Sequence, residues 1–147
     1  INLATTLDNM DRPEEALAIM LSVDERHPNE MATMSNIGFI LSKMDRYEEA
    51  ITWFDKCVKL TPKEAIPLNN RGYAKLMNGD INGAVKDIER SIKLNPGNSY
   101  AYRNLGLAMQ AKGAMDKACT AWEAALSRGF TDNYGPEVKA LYDAHCH

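Results

Sequence analysis

Asparagine recurs at Asn2, Asn36, Asn70 and Asn104, one every 34 residues. A carboxamide both donates and accepts, so it can pair with another chain's backbone whatever side chains that chain carries. A ladder of four such groups is a candidate for holding an extended polypeptide. The competing reading is local, because side-chain amides also cap helices and bond nearby backbone. The residues alone leave both open.

Three other sets of residues carry reactive atoms. Arg71 and Lys75 stand one helical turn apart, and a hairpin folded about Asn78–Asp80 brings Asp87 back toward them. That arrangement predicts a helix-to-helix ion pair. No nucleophile or metal cluster accompanies it, so acid–base catalysis has little support and no cofactor is expected. Cys57, Cys119 and Cys146 are too few and too scattered for a disulfide scaffold or a four-ligand zinc site. Cys119 and Cys146 reach the same level if the helices that carry them run antiparallel about a turn near Asp132. A disulfide between them and two unlinked thiols are both open. His145, Cys146 and His147 hold metal-capable atoms, but consecutive residues leave a helix in different directions. They read as a chain end, and no metal site is expected.

Composition narrows the classes. A chain of 147 residues, 45% hydrophobic and 25% charged, suits one soluble domain with a core. The net charge of −3 argues against a nucleic-acid surface. No apolar run approaches the roughly 20 residues that span a bilayer. The chain begins at Ile1, so an upstream segment is expected, and cytoplasm and periplasm both stay open.

The elements that position these groups follow the same period. Prolines fall at Pro28, Pro62 and Pro96, and glycines at Gly38, Gly72 and Gly106. Alanines fall at Ala16, Ala50, Ala84 and Ala118, each followed four places later by a large apolar residue, Met20, Phe54, Ile88 or Trp122. Within a unit, Met34, Ile37, Ile40, Leu41 and Met44 form an apolar stripe at helical spacing. The stripe breaks at Asp45 and resumes with Ala50, Ile51, Phe54 and Val58. The breaks one and two units on are Asn78–Asp80 and the region of Gly113. Pro62 and Pro96 end each second helix. Each unit is a helical hairpin, and its glycine lets a neighbouring helix approach bare backbone, at about 1 kcal/mol of helix propensity.

A 34-residue hairpin with these glycine, alanine, large-apolar and proline columns resembles the tetratricopeptide repeat family. Residues 65–98 are similar to a bacterial variant of it. The expected organisation is one domain over 1–147: a partial unit 1–30, units 31–64, 65–98 and 99–132, and a capping helix over about 136–146. The fourth unit departs at Phe130, where proline is expected, and the first has Ala4 in the glycine column. The cap is expected after turn chemistry at Asp132–Gly135, with Pro136 at a first helical position.

The resemblance implies an all-α, right-handed superhelical solenoid whose first helices line a concave groove. It implies that Asn36, Asn70 and Asn104 face that groove, with Phe39, Tyr73 and Leu107 in the next column. Tyr100 and Arg103 stand beside them, and Met77 lies one turn on. At the positions of the family's carboxylate clamp this chain offers Ser35, Phe39, Tyr100 and Asn104, so the basic residues are mostly missing. The function implied is a non-catalytic module that binds a protein or peptide segment in the groove. The alternative is an assembly module that self-associates through its N-terminal edge or extends a longer array.

Overall fold

The computed structural model describes residues 12–146. Asn2, Ala4 and the first helix expected of the partial unit lie outside these residues. Among the described residues there are nine helices and no strand. They are α1 (Pro13–Arg26), α2 (Met31–Lys43), α3 (Tyr47–Leu60), α4 (Ala65–Met77), α5 (Ile81–Leu94), α6 (Ser99–Ala111), α7 (Met115–Ser127), α8 (Phe130–Tyr134) and α9 (Glu137–His145).

The pairing is sequential, as short connections require. Helix α2 packs on α3, α4 on α5 and α6 on α7, while α3 meets α4 and α5 meets α6. Helices α2, α4 and α6 also touch one another in series and form one layer. The hairpin turns repeat a backbone conformation: φ is +59° at Asp45, +95° at Gly79 and +82° at Gly113. This left-handed region suits glycine, and aspartate is among the few other residues that tolerate it. The turn chemistry is therefore set by the same 34-residue step as the core.

Within each hairpin the glycine faces the large apolar residue of the partner helix. A Cβ on Gly38 would lie 2.5 Å from the Phe54 ring, and one on Gly72 would lie 2.6 Å from Ile88 Cγ1. At Gly106 it would meet the indole of Trp122. Phe54, Ile88 and Trp122 are all buried, and each contributes on the order of 1.5–3 kcal/mol by leaving water. That exceeds the propensity cost of a helical glycine.

The C-terminal segment differs from expectation in one respect. The stretch expected as a turn holds the short helix α8, whose Phe130 is buried where the earlier units place an exposed proline. A ring at Phe130 packs into the second core cluster, so α8 fills space that a turn would leave empty. Helix α9 follows, packs on α7 and buries Val138 completely. A disulfide joins Cys119 of α7 to Cys146 at the end of α9, with the Cα atoms 5.7 Å apart.

Two measurements check these assignments. Gly106→Ala should lower the unfolding free energy by about 2 kcal/mol in urea, because Trp122 is fully buried and cannot retreat. Gly97→Ala, whose new methyl would meet only Asn95 Oδ1 at 3.5 Å, should change it by less than about 0.5 kcal/mol. Replacing Cys119 and Cys146 together by serine should cost about 2–4 kcal/mol without reductant, and nothing when the parent is reduced.

Candidate binding groove

The layer formed by α2, α4 and α6 bears two recesses. The smaller, about 230 Å³, is bordered by Phe39, Ser42, Lys43, Asn70, Tyr73 and Tyr100, with Phe54 and Asn104 also in its lining. The larger, about 710 Å³, continues past Asn36, Phe39, Ile66, Asn70 and Tyr100 toward Asn98 and Tyr134. Phe39 is 48% exposed and Ile66 57%, so these apolar groups face water and not the core.

The asparagine column divides. Asn36 and Asn70 are half-buried and border the recesses. Asn104 does not offer its amide to the groove, because it is fully buried. Its Nδ2 donates to Asn69 Oδ1 at 3.0 Å, and its Oδ1 accepts from Arg103 Nη1 at 2.8 Å. The expected rung is instead a bridge between α4 and α6. The local reading of a side-chain amide holds at this position.

Arg103 also departs from its expected role. Its Nε and Nη2 donate to the two carboxylate oxygens of Glu137, at 2.6 and 3.0 Å. Its guanidinium lies 5.4 Å from the Tyr73 ring centroid and 5.1 Å from that of Tyr100. With its side chain only 11% exposed, Arg103 is committed to the cap. Burial pulls this guanidinium down, the Glu137 hydrogen bonds push it up, and the balance leaves it above its ordinary value. The same hydrogen bonds hold the Glu137 carboxyl below the usual range, and burial opposes them. Tyr100 is fixed on its other side by Phe130, at 6.0 Å between centroids, and by the edge of Tyr134, at 5.2 Å. Its phenol is pushed up, chiefly by burial.

Two further expectations are corrected. Leu107 is half-buried and packs against the second core cluster. Met77 is 49% exposed at the end of α4 and borders neither recess. The ion pair expected across the α4–α5 hairpin is present. Arg71 holds both oxygens of Asp87, at 2.7 and 2.9 Å, and Lys75 Nζ lies 3.0 Å from Oδ2. Arg71 also donates to Asp55 Oδ1 at 3.0 Å. The hydrogen bonding of Arg71 to the Asp87 carboxylate is the largest influence on the guanidinium and raises its pKa. Asp87 is buried, so removing its charge takes the acceptor from Lys75 and leaves Arg71 only the exposed Asp55.

Sequence reasoning missed Asn69, Tyr134 and Glu137. The signal was available in the period. Tyr134 follows Tyr100, and Glu137 follows Arg103, by the same 34 residues that relate the repeats.

The Arg103–Glu137 pair generates a pH prediction. A carboxylate with a lowered folded pKa stabilises above its unfolded value, about 4.3, and loses that contribution as pH falls through the folded value. Wild type should therefore exceed Glu137→Gln in stability by up to about 1 kcal/mol at neutral pH, because the carboxylate is half exposed. The difference should vanish in acid below the lowered value, as read from urea midpoints at a series of pH values.

Residues 33–64 and 67–98 match the family model for the tetratricopeptide repeat. Among solved structures the chain is similar to MamA, at 25% identity and a TM-score of 0.75, over 97% of this chain and 88% of that one. It is also similar to MamA from Desulfovibrio magneticus RS-1, at 23% identity and a TM-score of 0.74, over 98% and 84% of the two chains. A third neighbour is TTC0263, a thermophilic TPR protein of Thermus thermophilus, at 16% identity and a TM-score of 0.85, over 97% and 77%. No curated protein sequence matches. Residues 33–64 and 67–98 are thus tetratricopeptide repeats, and the described helices as a whole share the fold of these neighbours.

Proposed function

We propose that this chain binds an extended segment of a partner protein along the face formed by α2, α4 and α6, and that it catalyses no reaction of its own. The observation that carries this reading is the pair Asn36 and Asn70. They lie one repeat apart on adjacent helices, half-buried at the edge of recesses walled by aromatic rings. Packed helices are about 8–10 Å apart, and an extended chain rises about 3.3 Å per residue. Successive repeats therefore meet every third residue of a bound segment, and each amide can take one backbone N–H or C=O there. The aromatic rings supply contact area at low entropic cost, as they do at other interfaces.

The paired charges of α4 and α6 support binding over catalysis. Arg103 is neutralised by Glu137, and Arg71 and Lys75 by Asp87 together with Asp55. Each has its hydrogen bonds directed at protein, so none is poised toward the recess as an acid or base.

The test uses Asn70→Ala combined with Tyr73→Ala. Proteins that co-purify with the wild-type chain from its own cells should lose at least about tenfold in affinity for the variant, with helical circular dichroism retained. Unchanged affinity in a folded variant would remove the groove from the function. A mass that rises with concentration in light scattering would point to assembly instead.

A further inference from the structure

The cap covers one end of the face to which partner binding is assigned. Tyr100 borders both recesses, and Arg103 follows it one turn along the same side of α6. Tyr134 sets its ring edge on Tyr100 at 5.2 Å, and Glu137 takes Arg103 at 2.6 and 3.0 Å. Tyr134 is itself part of the wall of the larger recess. The last rung of the face is therefore occupied. Its occupant is a segment of this chain with a ring and a carboxylate three positions apart.

What keeps the occupant there is slight apart from one bond. Helix α9 has nine residues, fewer than the roughly 12–15 that an isolated helix needs in water. It persists through its attachments. Val138 is buried completely, while Leu141 and Tyr142 are half-buried. Lys139 and Asp143 pair with each other inside the helix, which ties nothing to the array. The Glu137 carboxylate is half exposed, so its ion pair holds weakly. The covalent tie is the disulfide from Cys119 to Cys146, at the opposite end of α9 from Glu137. Cys146 is buried and Cys119 is half-buried, so Cys119 Sγ is the sulfur that an incoming thiolate reaches first.

We propose that this disulfide is a redox latch: oxidised, it keeps the cap on Tyr100 and Arg103, and reduced, it yields that rung to a partner segment bearing a ring and a carboxylate. The proposal rests on the reading that this face binds an extended protein segment. A dithiol reductant opens the latch. Its thiolate attacks Cys119 Sγ, the bond to Cys146 breaks, and Cys146 leaves as a thiolate that takes up a proton. The reductant's second thiolate then breaks the mixed disulfide and frees Cys119 as a thiol. Two electrons have passed to the chain, and the reductant departs as a disulfide. Once α9 moves away, Arg103 loses both carboxylate oxygens and Tyr100 loses its edge contact. A partner's carboxylate restores the paired hydrogen bonds to the guanidinium, and its ring restores the edge contact. In the oxidised chain the tethered cap competes at high effective concentration and keeps the partner out.

The test uses the full chain, oxidised and in dithiothreitol, and follows amide hydrogen exchange by mass spectrometry. On reduction the amides of α9 should exchange at least about tenfold faster, with those of α4 to α6 unchanged. The chain with both Cys119→Ser and Cys146→Ser should match the reduced parent whether or not dithiothreitol is present. Should that chain fail to fold, the reduced parent still decides. The probe of the rung is a fluorescein-labelled peptide with the sequence of residues 130–145, which contains no cysteine. By anisotropy it should bind the reduced chain at least about tenfold more tightly than the oxidised one. Tyr134→Ala or Glu137→Gln in the peptide should remove most of that gain. Exchange in α9 that ignores reduction would make the disulfide a plain staple and overturn the latch. Faster exchange, with peptide binding that ignores both substitutions, would overturn the recognition of ring and carboxylate. Neither readout involves Asn70→Ala with Tyr73→Ala, so failure of the latch and failure of the groove appear in separate measurements.

Discussion

The close approach of each large apolar side chain to a helical glycine is the constraint on which the rest of the molecule depends. Gly38, Gly72 and Gly106 admit Phe54, Ile88 and Trp122 to bare backbone. The contact fixes how near the two helices of a hairpin lie, and hence where the next hairpin begins. Because the pairing recurs in every described hairpin, α2, α4 and α6 fall side by side in one layer. Their outer surface becomes a continuous face without any residue on it being chosen for folding. The hairpin turns reinforce the spacing, since Asp45, Gly79 and Gly113 adopt the same left-handed backbone at the same step.

The C-terminal end shows how such an array stops. The register continues through α8 and α9, with Tyr134 and Glu137 standing where a further unit would repeat Tyr100 and Arg103. What changes is the chemistry at those places. Val138 falls where the asparagine column would continue, and it is buried completely. Glu137 turns back onto Arg103, while the disulfide between Cys119 and Cys146 holds the other end of the helix to α7. The last repeat thus satisfies its own groove residues internally. A stack needs some such ending, because an uncovered last hairpin would expose apolar surface.

This end effect explains what the sequence could and could not disclose. The period and the hairpins depend on relations that every repeat carries in its own copy, and the Arg71–Asp87 pair lies within one hairpin. Asn36, Asn70 and Asn104 are equivalent by that standard, yet their surroundings differ. Asn104 has Asn69 behind it and Arg103 beside it, whereas Asn70 keeps its place at the recess. The difference is made by Asn69 and by Arg103, which Glu137, a residue outside the repeats, holds in place. Leu107 departs for a related reason, because it packs toward the core cluster that α8 and α9 complete. A column read from periodicity assumes that each rung has the same neighbours, and the last rung of a finite stack does not.

A single turn of α4 shows how the remaining tasks are kept apart. Residues three or four apart share a helical face and adjacent ones do not. Asn70 and Tyr73 share the face toward the smaller recess. Gly72 lies against Ile88 of α5. Arg71, between them, reaches Asp87 of α5 and Asp55 of α3, so one guanidinium ties its own hairpin to the preceding one. Buried ion pairs add little net stability because desolvation offsets their attraction. They do fix orientation, and here the orientation fixed is the rotation of α4 about its axis. A helix turned by one residue would carry Asn70 off the recess and drive Tyr73 toward the core. The charge cluster on the far side therefore sets which residues the groove presents, although none of its members touches the groove.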